Sequence, residues 1–189
     1  MIVNFNYSGT FINYSLAYDC CAKVIAENNL YYPLDTFSLV QSYGIKVVSY
    51  SKLSSHPDTS FQEIVNSFSS YGFLSRDKKT NRAIIYYNDT NAKEIINFTL
   101  LHELGHYLMN HEKECKENEN LANCFARNLV APASICFKLG LVDPYKLSDY
   151  FHISLSAANV RLDFLQRDLN NINKLGKHPM LYYKSLAYV

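Results

Sequence analysis

The chain has 189 residues, of which 48% are hydrophobic, and its formal net charge at pH 7 is +1. This length and composition are typical of one globular domain with a hydrophobic core, and the small charge gives no electrostatic support for binding nucleic acids or membrane surfaces. The five cysteines include no C-x-x-C pair, which argues against a disulfide scaffold and favours the reducing cytoplasm. No apolar run reaches the roughly 20 residues of a membrane span, so we expect no membrane partner.

The first half of the chain alternates helical and β-like patterns. In chain order these patterns predict helices over 15–28 and 35–42, a strand over 45–50, a helix from 60 to near 72, and two strands over 71–75 and 82–87. Ser60 and Glu63 have the spacing of a capping box. Because a short polar segment separates the last two strands, we expect them to form a hairpin.

The second half is predicted to be helical. A long helix is expected over 92–110, with Asn91 and Glu94 as its N-terminal cap, and a second one over 117–130. Shorter patterns predict a helix from 143 and another over 154–169. Gly105 lies inside the first of these helices, where glycine costs about 1 kcal/mol relative to alanine. We interpret its presence as a sign that another backbone passes close by.

The motif that indicates chemistry is His102-Glu103-Leu104-Gly105-His106. Residues four apart share one face of a helix, so both imidazoles can reach a single metal ion. Glu103 lies about 100° around the helix from His102 and can address a water molecule on that metal. This is the H-E-x-x-H arrangement of zinc peptidases, with two metal ligands and a general base.

Catalytic zinc requires a third protein ligand, and several downstream side chains are candidates. They are His111, Glu112, Glu114, Cys115, Glu117, Glu119 and Cys124. On the second helix Glu119, Ala122, Asn123 and Ala126 form one stripe, so the two alanines would allow close packing and Glu119 would point at the metal. Helical spacing alone does not distinguish a metal ligand at Glu119 from a solvated negative charge that stabilises a helix N-terminus. Asn123 could hydrogen-bond a metal ligand and orient it.

Two segments resemble the ImmA/IrrE metallopeptidases. Residues 98–108 are similar to the active-site helix of that family, and residues 119–126 with Leu129-Val130-Ala131-Pro132 resemble its second helix and closing motif. The resemblance implies that Glu119 completes a Zn²⁺ site with His102 and His106. Weaker similarity extends to 84–88 and 151–162. The chain departs from the family at Val130-Ala131, where Leu-Met is usual, and this difference touches no ligand.

The fold expected from these patterns is α+β. A small, mostly antiparallel sheet would be packed by helices around a zincin-like two-helix metal site. We expect a metallopeptidase domain over 1–140 and a small helical segment over 141–189 that packs on it.

The expected reaction is peptide hydrolysis. Zinc would lower the pKa of water, and Glu103 would accept the proton and return it to the leaving amine. Tyr107 and His111 are candidates for a second electrophile, although core packing and a surface position are the simpler roles for them. The strand that precedes the motif helix is expected to offer an edge to an extended substrate.

The resemblance also implies a partner. Members of the family relieve repression of phage, mobile-element or stress genes by cleaving or inactivating a helix-turn-helix repressor, so we expect such a protein as substrate. The alternative is a non-catalytic metal-binding module that acts on a repressor by contact. Direct binding of nucleic acid through 144–169 is disfavoured, because residues 141–189 hold only six basic against four acidic side chains.

Overall fold

The computed structural model describes residues 13–55, 59–77, 79–80, 82–113 and 115–174. The helices found there are α1 (Ser15–Asn28), α2 (Thr36–Ser42), α3 (Tyr50–Leu53), α4 (Phe61–Ser67), α5 (Lys93–Leu108), α6 (Lys116–Val130), α7 (Ala133–Lys138), α8 (Pro144–Phe151) and α9 (Leu155–Lys174). The strands are β1 (Lys46–Ser49), β2 (Gly72–Arg76) and β3 (Ala83–Tyr87). The predicted α+β class is therefore confirmed. Within these residues no helix combines the length and the apolar character needed to cross a membrane.

The three strands form one mixed sheet in the order β1-β3-β2. The hairpin prediction is confirmed, since β2 runs antiparallel to β3 with Gly72 opposite Tyr87. The sheet is not mostly antiparallel, because β1 runs parallel to β3 with Lys46 beside Ile84. Only residues 77–82 connect β2 to β3, and so short a connection allows these strands to pair only as an antiparallel hairpin. Between β1 and β3 the chain passes through α3, α4 and β2, which is long enough for the crossover connection that parallel strands need.

Several helices begin at the capping residues that the sequence predicts, but α5 does not. Ser60 and Glu63 form the predicted capping box of α4, and Asp143 accepts a hydrogen bond from the backbone N–H of Lys146 at the start of α8. The predicted cap of α5 is wrong: its N-cap is Ala92, without a side-chain hydrogen bond. The side-chain amide of Asn91 donates instead to the carbonyl oxygen of Ser70, 3.0 Å away.

The hydrophobic core lies where α1, α5 and α6 pack together beside the sheet. Leu100, Leu101 and Leu104 of α5 are fully buried, as are Phe125 and Leu129 of α6. The α5 helix is held close to the sheet because β2 begins with a glycine. A Cβ added to Gly72 would lie 2.6 Å from Cγ2 of Thr99 and 2.7 Å from the carbonyl oxygen of Tyr86.

A buried charge cluster ties the C-terminal helix to the rest of the core. Asp168 of α9 is fully buried and accepts hydrogen bonds from Tyr18 (2.7 Å), Arg127 (3.1 Å), Asn128 (3.1 Å) and Arg161. Burial opposes ionisation, but the guanidinium groups of Arg161 and Arg127 hold the pKa of Asp168 below its usual value.

The predicted division into a domain over 1–140 and a helical segment over 141–189 stays a prediction. Residues 1–12 of the first part and 175–189 of the second lie outside the described residues.

Candidate metal centre

Helices α5 and α6 pack closely because small residues meet at their crossing. A Cβ added to Gly105 would lie 2.9 Å from Cδ1 of Phe125 and 3.5 Å from Cα of Ala122. Carbon atoms in favourable contact are about 3.5–4.0 Å apart, so α6 leaves no room for a side chain at Gly105. The prediction that another backbone passes close to Gly105 is confirmed.

Three side chains from these two helices converge at one point. Nε2 of His102 lies 3.0 Å from Nε2 of His106. The carboxylate of Glu119 faces both rings, with Oε2 3.2 Å from Nε2 of His102 and Oε1 3.2 Å from Nε2 of His106. In the described part of the chain, these three residues are the only group of histidine, cysteine and acidic side chains close enough to hold a metal ion. Cys115 and Cys124 are not part of this group, and Glu114 lies outside the described residues.

The spacing of these atoms fits a tetrahedral metal ion. Bonds of about 2.0–2.1 Å in such a site place the ligand atoms about 3.3 Å apart, close to the observed 3.0 and 3.2 Å. Two imidazoles and one carboxylate are also a donor set found in catalytic zinc sites, which keep the fourth position open. The histidine side chains are only 16% and 13% exposed, whereas Glu119 is 45% exposed, so the triad is open on the side of its carboxylate.

Both histidines are suited to act as neutral ligands. Burial lowers the pKa of His106 to about 4, helped by the neighbouring imidazoles of His102 and His111. Burial also lowers the pKa of His102, although the negative charge of Glu119 acts in the opposite direction. At pH 7 the two imidazoles are therefore neutral, the state in which histidine binds metals.

Asn123 determines which nitrogen of His102 carries the hydrogen. Its Oδ1 lies 3.1 Å from Nδ1 of His102. A carbonyl oxygen can only accept, so Nδ1 donates and Nε2 keeps its lone pair. This unprotonated Nε2 then faces a carboxylate oxygen of Glu119 at 3.2 Å, an arrangement of two acceptors that a cation between them would stabilise. The structure thus places Asn123 within hydrogen-bond distance of His102, and its role in orienting a metal ligand stays a prediction.

Glu103 lies beside the triad in the same cleft. Burial, together with the negative charge of Glu103, raises the pKa of Tyr50 to about 12. This tyrosine is fully buried and its hydroxyl donates to the carbonyl oxygen of Ser69 at 2.9 Å. Tyr50 was not among the predicted site residues, because a tyrosine at the end of a predicted strand carries no local signal that the charge of Glu103 will act on it.

The two predicted electrophiles lie in different surroundings. Tyr107 does not line the cleft, and the guanidinium of Arg76 lies over its ring, 5.2 Å from the centroid. His111 does reach the site, with Nδ1 3.0 Å from Nδ1 of His106. The structure therefore brings His111, and not Tyr107, into contact with the triad.

A long cleft passes over the triad. It is lined by β2, α5, α6 and α9, including residues 72–75 of β2, Phe98 of α5 and Val160 of α9. The expectation that the strand before the motif helix provides a free edge is wrong, since β3 is central and pairs with a strand on each side. The edge that borders the cleft belongs to β2, which has one partner strand among the described residues.

Comparison with known families agrees with this geometry. A family model of M78 peptidases, described as an IrrE N-terminal-like domain, matches residues 42–163. The chain belongs to the M78 peptidase family. The match runs from the end of α2 into α9 and includes both helices of the metal centre. The predicted relationship to the ImmA/IrrE proteins is confirmed, and the family supports a metallopeptidase type of function. No curated protein matches the chain significantly.

Proposed function

We propose that this M78 peptidase is a cytosolic zinc-dependent endopeptidase that cleaves, and so inactivates, a helix-turn-helix transcriptional repressor. The observation that supports hydrolysis is the convergence of His102, His106 and Glu119 in a cleft that also contains Glu103. The family match supports peptide bonds as the substrate. The repressor as substrate rests on the resemblance of residues 98–108 and 119–132 to the ImmA/IrrE proteins.

His102, His106 and Glu119 would hold the zinc ion. When bound there, zinc supplies Lewis-acid chemistry that activates water at neutral pH and polarises a carbonyl group. Asn123 contributes by holding Nε2 of His102 free to act as a ligand. Glu119 lies in the first turn of α6, where the helix dipole stabilises its negative charge.

Glu103 would perform the proton transfers. Its carboxylate accepts the proton of the attacking water and then donates it to the amine that leaves. Tyr50 is not available for this purpose, because its pKa of about 12 and its hydrogen bond to Ser69 keep its hydroxyl protonated. We assign the proton transfers to Glu103 because it follows the ligand His102 directly in the sequence and lines the same cleft as the triad.

The substrate would bind in extended form along the cleft. Residues 72–75 line the cleft, and β2 is an edge strand of the sheet. An extended peptide can add to such an edge through backbone hydrogen bonds, which bind the main chain whatever its sequence. Selection of side chains would then depend on other residues that line the cleft, such as Phe98 and Val160.

The test compares the wild type with Glu103→Gln, which keeps the side-chain shape and removes the base. We expect zinc binding to persist and the rate of cleavage to fall by about 10²–10⁴-fold. Cells that express either form are examined by N-terminal labelling and mass spectrometry, which detects newly cut proteins. Glu94→Gln is the matched control, because Glu94 lies in the cleft on the same helix but in its first turn.

Each part of the proposal can fail separately. If Glu103→Gln inactivates the repressor as well as the wild type does, the chain acts by contact and hydrolysis is excluded. If the wild type cuts proteins but none is a helix-turn-helix regulator, the proposed substrate is wrong while the peptidase activity stands. If the purified wild type binds no zinc, the metal site itself is wrong.

A further inference from the structure

Helix α5 ends in a turn that brings His111 back over His106. Asn110 adopts a left-handed conformation with φ of 54°. The backbone N–H of His111 donates to the carbonyl oxygen of His106 (3.0 Å), and that of Asn110 donates to Tyr107 (3.2 Å). These two bonds define a Schellman motif. In this motif the backbone N–H of the residue after the left-handed one donates to the carbonyl oxygen of the third helical residue from the C-terminal end. Here those two residues are His111 and His106.

The two side chains meet through their Nδ1 atoms. Nδ1 of His111 lies 3.0 Å from Nδ1 of His106, and the rings meet edge to face with centroids 5.0 Å apart. Nε2 of His111 is buried and has no hydrogen-bond partner in the described part of the chain. The contact with His106 is therefore the polar interaction that the turn provides for this ring.

Only one hydrogen can lie between two nitrogens at this distance, so one ring donates and the other accepts. If His111 donates, the neutral ring of His106 carries its hydrogen on Nε2, where the metal would bind. If His106 donates, its Nε2 keeps the lone pair that faces Glu119 and His102. Only the second arrangement is compatible with a metal ion on the triad.

We propose that His111 is the positioning residue for His106: its unprotonated Nδ1 accepts the hydrogen of His106 Nδ1 and thereby holds His106 Nε2 as a metal ligand. This inference rests on the proposed metal site. It gives His111 the role for His106 that Asn123 has for His102. The two ligands on α5 are then oriented independently, one from α6 and one from the turn that ends α5 itself.

The test measures zinc affinity by competition with a chromophoric chelator at one fixed pH. We expect His111→Ala to weaken zinc binding by about 10–100-fold, the usual effect of removing a partner that orients a ligand. His111→Asn should stay within a few-fold of the wild type, because its Oδ1 can accept the same hydrogen bond. Lys113→Ala is the control, since Lys113 is an exposed residue of the cleft two positions away. The thermal midpoints of the metal-free variants show whether each one is folded.

A second measurement uses the wild type alone and does not depend on a variant that folds. Long-range nitrogen–proton NMR spectra of the zinc-loaded protein report which imidazole nitrogen carries each hydrogen. We expect His106 to be protonated at Nδ1 and His111 at Nε2. A hydrogen on Nδ1 of His111 overturns the inference, as does wild-type zinc affinity in His111→Ala, or an equal loss in the alanine and asparagine variants. A wild type that binds no zinc overturns the proposed function and this inference together.

Discussion

Replacing Gly105 with alanine tests whether the α5–α6 distance controls the metal centre. The new Cβ would lie 2.9 Å from Cδ1 of the fully buried Phe125. To reach an ordinary contact of about 3.5 Å, the ring or one of the helices must move by about 0.6 Å. His102 and His106 lie on one of these helices and Glu119 on the other, whereas metal–ligand distances tolerate changes of only about 0.2 Å.

The expected outcome is a measurable loss of zinc affinity together with a modest loss of stability. Alanine gains about 1 kcal/mol of helix propensity over glycine, which offsets part of the roughly 1–3 kcal/mol that overpacking costs. The metal-free protein should therefore lose at most about 2 kcal/mol in urea unfolding. Zinc affinity should fall by about tenfold, equivalent to about 1.4 kcal/mol, if the helices move apart.

Phe125→Ala provides the matched control, because it removes Cδ1 and Cγ, the two side-chain atoms that the new Cβ meets. Adding Gly105→Ala to Phe125→Ala should cost little zinc affinity, and the double-mutant cycle isolates the contact between the two positions. Zinc affinity of Gly105→Ala within twofold of the wild type would refute the reasoning. It would mean that Phe125 moves aside without displacing Glu119.

Three further predictions concern stability. Asp168→Asn should lower the free energy of unfolding by about 3–5 kcal/mol in urea titrations, because it leaves the buried Arg161 without its anionic partner; a loss below 1 kcal/mol would contradict this. In the metal-free protein the pKa of His106 falls from 6.5 to about 4 on folding, so the unfolded chain binds more protons. Stability should decrease by up to about 3 kcal/mol as the pH falls from 6.5 to 4, and His106→Gln should reduce this slope. Zinc at 100 times its dissociation constant should stabilise the wild type by about 2.7 kcal/mol; a chelator should reverse the effect, and Glu119→Ala should not show it at the same zinc concentration.

Most helices could be predicted because their signals are local. The first helix was predicted over 15–28 and is observed as Ser15–Asn28, and the capping box at Ser60 sits at the start of α4. These features depend on residues three or four apart, which face each other in any helix. α7 was missed because Pro132 was interpreted only as part of the motif that closes the second helix, whereas it is also the N-cap of the next helix.

The candidate site was predictable for a related reason. His102, Glu103 and His106 are neighbours in sequence, so one helical turn places them together. Gly105 indicated the close approach of another element before that element was known. From the residues of its own helix, Glu119 was only one of several candidates for the third metal ligand. The spacing of residues along each helix does not determine how far apart the two helices lie.

The sequence by itself thus determined the α5 motif, the stripe on α6 and the α+β class, because each depends on short-range periodicity. Only the tertiary structure decided that β1 runs parallel to β3, that Asn123 lies 3.1 Å from His102, and that the negative charge of Glu103 acts on the buried Tyr50. It also decided that Asp168 accepts hydrogen bonds from Tyr18 and Arg127, which lie on two other helices. These contacts join residues from 21 to 150 positions apart, and they form only when hydrophobic burial has fixed how the helices pack.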